Sequence, residues 1–158
     1  MKKIAIFPGT FDPFTLGHLS LVERGLHLVD EIIIAIGVNQ NKKTFFTLEQ
    51  RIEMISRFFE HNDRVSVQSY NSITVDFAKD VNAQFILRGI RSINDFEYEK
   101  NIADINRIMS GIDTFILFTE PQYTHISSSI VRELLSYGKN VDGFVPVGLH
   151  INDYKETI

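Results

Sequence analysis

The chain has 158 residues, of which 44% are apolar and 23% charged, with a formal net charge of −4. That length is one domain's worth and enough to bury a proper core, so a single domain over residues 1–158 is expected. An acidic balance with no block of like charge argues against a general nucleic-acid surface, and the absence of cysteine excludes disulfides, thiolate catalysis and cysteine-ligated metals.

The first predicted element is a strand, Lys3–Phe7, built on Ile4-Ala5-Ile6-Phe7. Lys2-Lys3 ahead of these four apolar residues makes too short a core for a signal peptide. No run nears the roughly 20 apolar residues of a membrane span. A cytoplasmic protein with no membrane partner is therefore expected. The turn Pro8-Gly9-Thr10-Phe11-Asp12-Pro13 then leads to a helix, Gly17–Val29, whose apolar residues Leu19, Val22, Leu26 and Val29 recur at helical spacing. Strand, Gly/Pro turn and helix is an arrangement that opens backbone amides toward phosphate, and here it delivers His18 to the helix's first turn. A cationic or hydrogen-donating ring there suits a polyphosphate. A structural turn with a surface histidine is the plainer alternative.

Strands Glu31–Val38, Arg64–Ser69, Gln84–Arg88 and Thr114–Phe118 follow, several of them near-continuous apolar runs such as Ile32-Ile33-Ile34-Ala35-Ile36. That is the pattern of strands covered on both faces of a parallel sheet. Helices Leu48–Glu60, Ile73–Val81, Asp95–Met109 and Ser128–Tyr137 fill the gaps, the first of them opened by a Thr47/Gln50 capping box. Gly111 and Gly138 fall where helix C-caps are expected, and a last short helix begun at Pro146 is expected within Val145–Tyr154. Five β–α units predict an α/β, Rossmann-like three-layer sandwich around a five-stranded parallel sheet, with right-handed crossovers.

Ligands of open α/β sheets bind beyond the carboxyl ends of the strands, so the loops there decide where chemistry can occur. In order they hold Thr10, Phe11 and His18; Lys42 and Lys43; Ser72 and Thr74; Arg88-Gly89-Ile90-Arg91; and Tyr123-Thr124-His125-Ile126-Ser127-Ser128-Ser129. Cations, imidazole and hydroxyls suited to phosphate thus converge on one sheet edge. Each has a structural alternative. Lys42-Lys43 is either a solvated pair or an anion ligand. Arg88 ends an apolar strand, where a charge persists only if paired; its partner is either a ligand or one of Asp95, Glu97 and Glu99. Gly89 allows the backbone to approach a ligand closely. The three serines supply an N-cap, an anion site, or both. Phe45 and Phe46 read as exposed, at a contact or at a pocket mouth.

These residues resemble the bacterial phosphopantetheine adenylyltransferases, a family of the nucleotidyltransferase superfamily with the T/HxGH motif. The resemblance is carried by Pro8-Gly9-Thr10-Phe11-Asp12-Pro13, Thr15-x-Gly17-His18, Lys42-Lys43 and Phe46-Thr47-Leu48-Glu49-x-Arg51. It continues through Arg88-Gly89-x-Arg91, Asp95-Phe96-Glu97-Tyr98-Glu99, Asn106-Arg107 and Ile126-Ser127-Ser128-Ser129, with no large insertion. The T/HxGH and Ile-Ser-Ser-Ser motifs mark the superfamily, whereas the Arg-Gly-x-Arg and Asp-Phe-Glu-Tyr-Glu blocks mark this family.

The resemblance implies transfer of AMP from ATP to the phosphate of 4′-phosphopantetheine, giving dephospho-coenzyme A and pyrophosphate. It also implies Mg²⁺ dependence and a homohexamer of one-domain subunits. By motif, Thr10 and His18 would contact the reacting phosphates, Phe11 joining through its backbone, with Lys42 and Arg91 completing the catalytic set. Thr10, Lys42, Thr74 and Arg88 would hold phosphopantetheine. Thr10, Phe11 and His18, with Gly89, Ile90, Arg91, Glu99, Tyr123, Thr124, His125, Ile126, Ser127, Ser128 and Ser129, would hold ATP.

The chemistry of such a transfer agrees with the residues present. A phosphate monoester has a second pKa of roughly 6 and attacks as a dianion, so it needs no general base. It needs positioning and charge stabilisation. With no clustered carboxylates in sight, Mg²⁺ is expected to arrive with ATP, held by phosphate oxygens and water. Four positions depart from the family pattern: Phe7 where tyrosine is frequent, Leu16 where a polar residue is common, Thr74 where a larger apolar residue is usual, and Tyr123 where tryptophan is usual. These bear on affinity more than on reaction type. Two alternatives differ in kind. One is CMP or AMP transfer to another phosphate; the other is a non-catalytic nucleotide or coenzyme A sensor.

Overall fold

The computed structural model describes residues 1–157; of the domain expected over 1–158, only Ile158 lies outside the described residues. Five strands, β1 (Ile4–Gly9), β2 (Glu31–Gly37), β3 (Val65–Tyr70), β4 (Phe85–Ile90) and β5 (Asp113–Phe118), pair in parallel in the order β3-β2-β1-β4-β5. Helices α1 (Leu16–Gly25), α2 (Leu48–Phe58), α3 (Thr74–Asp80), α4 (Ile93–Ser110) and α5 (Ser128–Ser136) alternate with them. Side chains on a strand alternate between faces, and the core divides accordingly. Phe7, Ile34 and Leu87 pack in one buried cluster with Val22, Ile55 and Val131, while Ile6, Ile33 and Ile86 pack in another with Val75 and Ala78. This is the Rossmann-like sandwich the alternation predicts. Among the described residues no helix is long and apolar enough to cross a membrane.

The chain winds outward from β1 to β3, then returns to the other side of β1 for β4. The topological switch point therefore lies between β1 and β4, where an open sheet makes its crevice. Local sequence widens that crevice. β1 pairs with β2 through Pro8 and Gly9, two residues beyond the strand end expected at Phe7, but with β4 only at Ala5 and Ile6. Proline has no N–H to give a ladder. Instead, the Arg88 guanidinium on β4 donates to the Pro8 carbonyl at 2.5 Å.

Thr15, Thr47, Ser92 and Ser127 each accept a backbone N–H as N-caps, and the Thr47/Gln50 capping box forms as expected. Cap and turn chemistry explains where helix limits differ from the sequence pattern. α4 starts two residues before Asp95 because Ser92 is its cap. α1 stops at Gly25 rather than Val29 because the chain tightens, with Leu28 N–H bonded to the Gly25 carbonyl at 2.9 Å. The helix expected to begin at Pro146 does not begin there. Pro146 opens a turn closed by Leu149 N–H, Gly148 follows a left-handed path (φ 93°), and a 3₁₀ helix starts only at Ile151.

Candidate active site

Two adjoining cavities occupy this crevice. One, of about 380 Å³, is lined by His18, Arg91, Tyr123, Ser127, Ser128 and Ser129 among others. The second, of about 550 Å³, is lined by Thr10, Lys42, Thr74 and the side chains of Tyr70, Tyr98 and Asn106. Pro8, Gly9, Arg88 and Glu99 line both.

The β1–α1 turn builds the wall where they meet. Thr15 caps α1, and the residue three positions on is His18, whose ring completes a capping box. Thr15 N–H donates to His18 Nδ1 at 3.0 Å, and His18 N–H donates to Thr15 Oγ1 at 3.4 Å. Because Nδ1 accepts an amide proton, the ring's own proton sits on Nε2. The rings of Phe11, Phe14 and Phe7 surround it at centroid distances of 4.9, 5.4 and 6.1 Å. Burial, reinforced by the positive charges of Arg88 and Arg91, lowers the His18 pKa to about 4. Of the two forms the sequence left open, the structure thus selects a neutral ring that donates from Nε2.

Arg88 is held firmly. Its Nε and Nη2 donate to the two oxygens of Glu99 at 2.8 and 2.5 Å, a bidentate pair. Glu99 is the buried partner among the three acids the sequence offered, and it fixes the guanidinium where both cavities reach it. Lys42, exposed on the loop after β2, donates from Nζ to Thr10 Oγ1 at 3.1 Å. Thr74 Oγ1 lies 3.1 Å from the Tyr70 hydroxyl. Arg91 is steered by Asp95, which accepts the Arg91 N–H at 3.0 Å and lies 3.7 Å from its Nε.

The serines divide their work. Ser127 Oγ caps α5, accepting Ile130 N–H at 3.2 Å. Ser128 Oγ donates to the Pro13 carbonyl at 2.8 Å, tying α5 to the β1–α1 turn. Ser129 Oγ accepts from Arg132 at 3.1 Å. The first N–H groups of a helix lack intrahelical acceptors and face outward with the positive end of its dipole, which makes this wall anion-attracting.

Not every expected residue reaches a cavity. Ile90 is buried in the sheet, and Thr124 and His125 are exposed without lining either space. Gly89 lines the first cavity, but its missing Cβ makes room for Leu21: a methyl group there would sit 2.3 Å from Leu21 Cδ1. Phe46 is not exposed; it is fully buried against Phe45 and the core.

The sequence pattern also missed residues that hold the turn. Asp12 is buried, and its carboxylate accepts the N–H groups of Phe45 and Phe46 at 2.7 and 2.9 Å. Arg132 on α5 donates to the Asp12 carbonyl at 2.9 Å. Arg51 is buried on α2 among apolar neighbours. A signal for it existed: Leu48, Arg51, Ile52 and Ile55 follow helical spacing, which puts a cation on the apolar face. Phe11, between these anchors, takes a left-handed backbone (φ 50°) that a bulky residue adopts only when its surroundings impose it.

A sequence profile of the cytidylyltransferase-like family matches residues 6–134. The chain is 60% identical over 152 residues to a phosphopantetheine adenylyltransferase of Bacteroides thetaiotaomicron, covering 96% of this chain and 100% of the relative. It is 56% identical over 147 residues to the enzyme of that name from Bacteroides fragilis, covering 93% and 98%. With the one from Flavobacterium johnsoniae it shares 49% identity over 151 residues, covering 96% and 99%.

Proposed function

Because the chain belongs to the cytidylyltransferase-like family, and within it to the phosphopantetheine adenylyltransferases, we propose that it transfers AMP from ATP to 4′-phosphopantetheine. The products are dephospho-coenzyme A and pyrophosphate. What carries this assignment to the site is the shared wall. Arg88 borders both cavities, with His18, Arg91 and the α5 N-terminus on one side and Thr10 and Lys42 on the other. ATP takes the first cavity, its phosphates toward His18, Arg91 and Ser127–Ser129. Phosphopantetheine takes the second, its phosphate against Thr10, Lys42 and Arg88, with Thr74 further along the chain.

In the reaction a phosphate oxygen of phosphopantetheine bonds to the α-phosphorus of ATP while the bond from that phosphorus to the bridging oxygen of the β-phosphate breaks. Pyrophosphate leaves with the electron pair. No proton is removed from the nucleophile, which is already a dianion above its second pKa of roughly 6. The chain's residues orient the two phosphates in line and stabilise charge on the five-coordinate phosphorus. A neutral His18 suits this: it gives a hydrogen bond from Nε2 without adding a proton that could neutralise the attacking phosphate.

Magnesium belongs to the proposal as an ion that arrives with the nucleotide. Among the described residues no group of three His, Asp or Glu could hold a metal, and the carboxylates beside the first cavity, Asp95 and Glu99, are engaged by Arg91 and Arg88. The residues fit an ion held by phosphate oxygens and water, supplying charge neutralisation on the triphosphate. The working form is a homohexamer of single-domain subunits in the cytoplasm. The family supports that assembly, as do Ile105, Ile108 and Met109, which α4 leaves exposed near its C-terminal end.

Pyrophosphate release tests the assignment. With ATP and phosphopantetheine together it should be rapid, and with either alone absent. Turnover with CTP but none with ATP would assign a different member of the superfamily, and nucleotide binding without any turnover would make the chain a sensor.

A further inference from the structure

Arg51 raises a question the reaction above does not answer. A guanidinium remains charged at any ordinary pH, and burying one is unfavourable unless its hydrogen bonds are well met. Arg51 is only 5% exposed. Its Nε donates to the carbonyls of Phe46 and Thr47 at 3.2 and 3.3 Å, next to the N-cap of its own helix. Its Nη1 reaches across to the carbonyl of Thr10 at 2.7 Å. One side chain on α2 therefore grips two separate segments, the β1–α1 turn and the end of the loop that carries Lys42.

A second contact between the same segments runs the other way. The Asp12 carboxylate, on the turn, accepts the N–H groups of Phe45 and Phe46. Lys42 Nζ meets Thr10 Oγ1 at the outer end of the same pair of segments. Geometry adds a further consequence. The carbonyl and N–H of a trans peptide point in opposite directions, so a bond that fixes the Thr10 carbonyl toward α2 turns the Phe11 N–H away from it. Phe11 holds a left-handed backbone at that point and its residue lines the first cavity.

We propose that Arg51 is a positioning residue for the transfer: by fixing the Thr10 carbonyl to the 46–47 backbone it sets where Lys42 and Thr10 present their charge and hydroxyl to the attacking phosphate. The proposal rests on the reaction assigned above. Arg51 touches neither cavity and acts through Thr10 and Lys42. Removing it breaks no bond to Arg91 or to α5, the groups that hold most of the ATP side. A shift of about 1 Å in a positioning group is enough to lower a rate by roughly 100-fold.

The test is a double-mutant cycle on the full chain. Arg51→Met keeps the buried volume and loses the donors; Arg51→Lys keeps the charge and loses the fork. Each is made alone and with Lys42→Ala, and each is measured for turnover with both substrates and for ATP affinity at equilibrium without phosphopantetheine. Arg51→Met is expected to lower kcat by about 10–100-fold with ATP affinity within three-fold, Arg51→Lys to fall between it and the parent, and the Arg51 penalty to shrink to within three-fold in the Lys42→Ala background. If Arg51→Met does not fold, Arg51→Lys carries the same cycle. Penalties that add in the double variant, a parallel fall in ATP affinity, or kcat within two-fold of the parent would each overturn the proposal while leaving the reaction intact. An unaltered chain with no turnover would instead sink the reaction, and this proposal with it.

Discussion

At the scale of single residues, His18 is the group whose chemistry is most constrained. Its Nδ1 is occupied by the Thr15 N–H, and burial together with Arg88 and Arg91 holds its pKa at about 4. Removing one preorganised donor typically costs on the order of 10²–10³ in turnover, so His18→Ala should lose that much while ATP affinity stays within a few-fold. His18→Gln, which keeps a neutral donor, should retain more; equal loss of binding and turnover would make His18 a ground-state anchor instead. The pH dependence has a defined sign. A histidine whose folded pKa lies below its unfolded 6.5 destabilises the fold as pH falls from 6.5 to 4, because only the unfolded chain takes up the proton. The thermal midpoint of the parent should therefore drop more than that of His18→Gln over this window. An NMR titration of the ring near 6.5 would contradict both statements. His18 and Lys42 were legible in the sequence because their motif spacing is local. For Arg88 the sequence narrowed the partner to three acids, and the fold picks Glu99. The bonds of Arg51 to Thr10 and of Asp12 to Phe45 and Phe46 were not legible, since each joins segments whose distance only the fold sets.

At the scale of elements, alternation and apolar runs were enough to place every strand and helix of the sheet and its two covers. The limits were less legible, because caps and glycines decide them one residue at a time. Pro8 shows why. A proline reads as the end of a strand, yet here it continues β1 along β2 and ends only the ladder to β4. That is the opening of the site. Gly89 is a second instance: it reads as room for a ligand, and the structure uses it as room for Leu21 of α1. A methyl group there overpacks the contact between α1 and β4, so Gly89→Ala should lower unfolding free energy in urea by about 1–3 kcal/mol. In a Leu21→Ala background the Gly89→Ala penalty should shrink, since the clashing methyl groups are gone. An undiminished Gly89→Ala midpoint would show that α1 shifts freely, and that the close packing does not fix the turn above it.

At the scale of the whole molecule, an 18.2 kDa chain leaves Ile108 85% exposed on α4, with Ile105 and Met109 on the same helix more than half exposed. A face of that kind calls for a partner, and sedimentation should find the hexamer rather than the monomer, with Ile105→Lys and Ile108→Lys together shifting it to smaller species. A monomer at all concentrations would remove the assembly from the account. The sheet's switch point explains the rest of the design: it brings the ends of β1 and β4 together and parts them, so two cavities form with one arginine between them. Direct transfer across that wall is the central claim, and its stereochemistry is measurable. ATP of a single configuration at its α-phosphorus, with sulfur in place of one non-bridging oxygen, should give the thio analogue of dephospho-coenzyme A inverted at that phosphorus, as one in-line displacement requires. Retained configuration would mean two displacements through a nucleotidyl-enzyme intermediate, and would contradict it.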